Sequence, residues 1–101
     1  MTENSPRTRS QVVIIDPLGL HLRQAAKLVV LAKTFRSDIR VVCRVNTANA
    51  KSVLDLATLA AECGTILDIV AHGPDADQAV TALTDHLSAG LDGSVSRTAA
   101  A

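Results

Sequence analysis

The sequence contains no tryptophan and no tyrosine, and Phe35 is its single aromatic residue. Stacking platforms for bases and aromatic sugar-binding clefts are therefore missing, and the core has to be built from Val, Leu, Ile and Ala. An excess of one charge is lacking too: ten Lys and Arg balance ten Asp and Glu, and no basic run tracks a nucleic-acid backbone or an anionic membrane. No apolar stretch approaches the length of a membrane span. The opening MTENSPRTRS lacks the apolar segment of a secretory signal, and there are only two cysteines, Cys43 and Cys63. This predicts a cytoplasmic chain with reduced thiols that behave as small buried hydrophobes. His21, Cys43, Cys63 and His72 show no metal-ligand spacing, so neither a metal nor another cofactor is expected.

What is present suits one domain: 101 residues, 48% of them apolar. Residues 1–9 are polar and 92–101 are small and unpatterned, which reads as flexible ends around a domain at 10–91. Gln11–Ile15 is a β-branched run closed by Asp16-Pro17-Leu18-Gly19, a strand and a turn. From Leu22 to Thr34 the period becomes helical, with Ala25, Leu28, Val29 and Ala32 on one side. Asp38–Cys43 alternates as a strand, and a weaker strand follows near Thr47–Ala50 without an Asn-Gly turn signal. Ser52-Val53-Leu54-Asp55 has the form of a capping box opening a short helix through Leu59. Thr65–Ala71 is a strand, and Asp75-x-x-Gln78 opens a last helix with Ala76, Ala79, Val80, Leu83 and Leu87 as its stripe and Gly90 as its stop. The order β-α-β-β-α-β-α is met by an α+β two-layer sandwich: a four-stranded antiparallel sheet with three helices on one face.

Chemistry concentrates at Gly19-Leu20-His21-Leu22-Arg23. A histidine beside a helix N-cap faces N–H groups with no intrahelical partner and the positive end of the dipole. A phosphoryl group on that ring is stabilised by both, and Arg23 reaches its oxygens. The same field favours a neutral, nucleophilic imidazole. By the local signal alone, an isolated histidine before a helix is more often a capping or surface residue. His72 and His86 read as structural, His86 as a cation near a helix C-terminus.

Several motifs in register, Gly19-Leu20-His21-x-Arg23-x-Ala25, Asn49-x-Lys51-Ser52-Val53-Leu54, Leu59 with Gly64, and Gly73-x-Asp75, resemble the HPr family of histidine-containing phosphocarriers of the bacterial phosphoenolpyruvate-dependent phosphotransferase system. The resemblance covers about residues 11–91. It implies an open-faced β-sandwich that acts as a monomer, takes phosphate from enzyme I on Nδ1 of His21 with Arg23 in support, and passes it to an enzyme IIA domain or related acceptor. Ser52 then corresponds to a regulatory serine, the target of a serine kinase/phosphorylase. Leu22, Gln24, Val53, Leu54 and Ala57 are the expected partner-binding residues. Leu22-Arg23-Gln24 stands where the family usually has Ala-Arg-Pro, and Glu62-Cys63-Gly64 where it usually has a Lys-Gly pair. The alternative is a regulatory binding module controlled at His21 or Ser52 without sugar transport. A small-ligand or metal-binding domain has only fold analogy behind it.

Overall fold

Period-two burial along four segments and helical stripes along three others set the architecture of the computed structural model, which describes residues 7–89. In chain order the elements are β1 (Arg7–Val13), α1 (Leu22–Ala32), β2 (Asp38–Cys43), β3 (Asn46–Asn49), α2 (Val53–Thr58), β4 (Ile66–His72) and α3 (Ala76–Ser88). The strands make one antiparallel sheet in the order β1-β4-β2-β3, so the last strand in sequence enters between the first two. The register sets Val12 opposite Leu67, Ile69 opposite Val41, Ala71 opposite Ile39 and Ala48 opposite Val41, all buried. Against these pack Ala25, Leu28, Val29 and Ala32 of α1, Leu56 of α2, and Ala76, Ala79, Val80, Leu83 and Leu87 of α3. Alternate residues face outward, where Arg9 pairs with Asp68 at 2.9 Å. The expected open-faced α+β sandwich, with its expected element order, is the fold. Among the described residues no helix is long and apolar enough to cross a membrane.

Some local expectations are corrected. β1 begins at Arg7, ahead of the boundary at residue 10 drawn from polarity, because Arg7–Ser10 pair by backbone with Ile69–His72 and need no apolar side chains to do so. The β2–β3 turn is made by Arg44 and Val45, with Arg44 at φ 58, so the hairpin closes without an Asn-Gly pair. Asp75 is the N-cap residue of α3, yet its carboxylate bonds nothing in that helix. It accepts instead from the N–H groups of Arg36 and Ser37 at 2.8 and 2.9 Å and from Ser37 Oγ at 2.6 Å, tying α3 to the loop before β2. Those bonds, the Ser37 hydroxyl first, hold its pKa below the usual 3.8. Cys43 is buried as expected, whereas Cys63 is exposed. Gly90 and 92–101 lie outside the described residues.

His86 departs furthest from its reading as a helix-end cation. Its Nε2 is buried with no hydrogen-bond partner, and burial, then the Lys27 charge, push its pKa below the usual 6.5. A histidine held neutral in the fold binds its proton more readily once unfolded, so its contribution to stability is complete above the ordinary pKa and is lost as pH falls through that range. The melting temperature is therefore expected to drop between pH 7.5 and 5.5. His86→Leu should flatten that slope. Equal slopes in scanning calorimetry of the two proteins contradict the assignment.

Candidate functional site

The loop that delivers His21 is shaped by a short polar sequence. Asp16 O accepts from Gly19 N–H at 2.8 Å, and Asp16 Oδ1 accepts from Leu18 N–H at 2.9 Å, so an Asx turn is nested in a β-turn. Gly19 takes φ +74, and Leu20 N–H then donates to Ala61 O at 2.8 Å. His21 arrives as the N-cap of α1 in extended conformation, φ −85 and ψ 179, and its carbonyl accepts the first helical bond from Ala25 N–H at 2.8 Å. The N–H groups of Leu22, Arg23 and Gln24 have no helical acceptor, and the His21 side chain caps none of them. They remain as donors for an anion carried on the ring.

His21, Arg23, Gln24 and Lys27 line a solvent-open hollow of about 580 Å³ together with Asp16 and Leu18. The His21 side chain keeps 29% of its surface exposed, and its Nε2 lies 3.7 Å from Asp16 Oδ2. Asp16 itself is buried. Its pKa is lowered chiefly by the Leu18 N–H bond, against the opposing effect of burial, with the Gln24 amide and His21 adding to the lowering. The hollow thus joins a nucleophilic ring, a helix N-terminus and two cations one helical turn apart, a set able to carry a transferred phosphoryl group.

The other sequence candidates separate by exposure. Leu22 and Leu54 are exposed at 60% and 74%, at the starts of α1 and α2, two helices that contact each other. Val53 is half-buried and packs on the core, and Ala57 is half-buried. Gln24 is only 8% exposed, and its side-chain amide donates to Asp16 Oδ2 at 2.6 Å. Ser52 caps α2, its Oγ accepting from Asp55 N–H at 3.2 Å, while the Asp55 carboxylate accepts from Asn49 N–H and not from Ser52 as a reciprocal capping box requires. Sequence reasoning missed Asp16, Leu18 and Lys27. The Asp-Pro dipeptide signalled only a turn, whereas Lys27, four residues after Arg23, was legible from helical spacing. Among the described residues no three His, Cys, Asp or Glu side chains gather closely enough to hold a metal ion.

Comparison with known proteins gives a consistent picture. The family model described as "PTS HPr component phosphorylation site" matches residues 8–89. The phosphocarrier protein HPr of Vibrio cholerae is 44% identical over 82 residues, 81% of this chain and 92% of that protein. HPr of Haemophilus influenzae is 51% identical over 69 residues, covering 68% and 81% of the two chains. The crystal structure of HPr-C-His from Thermoanaerobacter tengcongensis superposes with a TM-score of 0.78 at 32% identity, covering 81% of this chain and 92% of that one.

Proposed function

Because the chain belongs to the HPr family of the phosphotransferase system, a family of phosphocarriers, we propose that it receives a phosphoryl group on His21 from enzyme I and passes it to an enzyme IIA domain or a related acceptor. The observation that carries this reading is the placement of the half-buried His21 ring at the N-cap of α1, in one hollow with Arg23. The free N–H groups of the first turn and the Arg23 guanidinium favour the phosphoryl dianion over water as its surroundings, while the open hollow admits donor and acceptor in turn. The chain is thus a stoichiometric relay that depends on its partners for turnover. The reading places it in the cytoplasm as a monomer.

The regulatory alternative has less support. The Ser52 hydroxyl is accounted for as an N-cap. A phosphate added there would be tolerated by the helix N-terminus and would set charge beside the exposed Leu54, weakening partner contact without unfolding the chain.

Incubation with phosphoenolpyruvate and a cognate enzyme I tests the carrier reading. One acid-labile, alkali-stable phosphoryl group per chain is expected, located by mass spectrometry on the peptide containing His21. Absence of label, or label on another residue, overturns it.

A further inference from the structure

The Asp16 carboxylate has one oxygen committed to the loop and the other turned to the ring. Oδ1 accepts from Leu18 N–H at 2.9 Å. Oδ2 accepts from the buried Gln24 amide at 2.6 Å and lies 3.7 Å from Nε2 of His21. At 5% exposure the carboxylate is held in place by these donors, which favour its ionised form. An ionised carboxylate is an acceptor only. An Nε2 lone pair in front of it is repelled, whereas an Nε2–H is attracted across the 3.7 Å gap. Such contacts are often long before a reaction partner binds.

Building on the carrier reading above, we propose that Asp16, braced by Gln24, is a positioning residue that keeps the His21 ring in its Nε2–H form and leaves the Nδ1 lone pair for the phosphoryl group. When Nδ1 attacks, the N–P bond forms as the bond from phosphorus to the donor breaks, and that electron pair leaves with the donor. The Nε2 proton does not move. The ring, having given up its lone pair, becomes a cationic phosphoimidazolium, and Asp16 stands opposite that charge. On transfer to the acceptor the N–P electron pair returns to Nδ1 and the neutral ring is restored. A buried aspartate plays the same part toward the histidine of serine proteases, where it fixes the tautomer and offsets the imidazolium.

The test uses the full chain with 15N-labelled histidine. Long-range proton–nitrogen NMR at a pH where the ring is neutral reads which nitrogen bears the proton, and enzyme I with phosphoenolpyruvate reads the rate of charging. In the parent the proton is expected on Nε2. Asp16→Asn, whose amide can donate to Nε2, should move population to the Nδ1–H form and slow charging at saturating enzyme I by at least about 10-fold, in the direction of the larger loss seen when a tautomer-fixing aspartate is replaced. Asp16→Ala should slow charging without that reversal. Unchanged tautomer and unchanged rate in folded Asp16→Asn overturn the proposal, as does a parent ring found mainly as Nδ1–H. If both variants unfold, the parent tautomer alone decides. If the parent is not charged at all, the carrier reading falls, while the tautomer, measured without any donor, still decides the role of Asp16.

Discussion

Gly19→Ala is expected to lower stability by roughly 2–5 kcal/mol and to abolish charging of His21 by enzyme I. Two costs combine. The residue sits at φ +74, where an L side chain is strained by about 1–3 kcal/mol. A Cβ there also runs into Ala61 O and comes within 2.9 Å of Glu62 Cα, backbone that cannot swing aside like the end of a flexible side chain. Relief requires the loop to lift from Ala61, which breaks the Leu20 N–H bond to that carbonyl and carries His21 away from the N-terminus of α1. Gly64→Ala is the control: φ is +92, but nothing lies within 4 Å of the added atom, so only the conformational cost of about 1–3 kcal/mol applies and charging is retained. Urea denaturation and the labelling assay read both effects. A Gly19→Ala protein as stable and as readily charged as the parent would show that the contact with Ala61 does not hold the histidine loop.

Leu54→Glu is expected to leave the fold intact and to slow charging by enzyme I about 30-fold, the effect of losing a partner contact worth about 2 kcal/mol. Leu54 is 74% exposed at the start of α2, so a carboxylate there costs the folded state within about 0.5 kcal/mol. A lone exposed leucine is ordinary. Here, however, Leu54 on α2 and Leu22 on α1 both begin helices that pack together, and His21 caps the second of these. Leu56→Glu, at a side chain with no exposed surface, should unfold the protein instead and so separates core from contact surface. Equal charging rates for the parent and folded Leu54→Glu would remove Leu54 from the partner surface.

The fold was legible wherever a periodic apolar pattern met a turn residue. Val12, Ile39, Val41, Leu67 and Ile69 alternate in the sequence and are buried in the sheet, and the helical stripes of α1 and α3 lie on them. Arg7–Ser10 were not legible as strand, because an edge strand can pair through its backbone while its side chains stay polar. His21 and Arg23 stand out by their position at a helix start and meet in one hollow. Asp16 does not, and the bond that Gln24 makes to it was not legible, since nothing in a linear reading says that an amide eight residues after a turn aspartate folds back onto it. Where the family usually has proline, Gln24 supplies that amide. A side chain's burial is decided by the loop in front of it as much as by its own chemistry, and Asp75 repeats the point: its capping signal was clear, yet its carboxylate serves Arg36 and Ser37.

The sheet order also governs when a newly made chain becomes competent. β4 lies between β1 and β2 although it is synthesised after both, so a nascent chain released only as far as α2 has nothing to join β1 to the β2–β3 hairpin. The histidine loop waits as well, because Leu20 N–H closes on Ala61 O and Ile14 exchanges backbone bonds with Gly64 and Thr65. Non-local pairing of this kind is slow to form. Residues 61–72 must therefore be made before the sheet can close and the loop that carries His21 can be tied down.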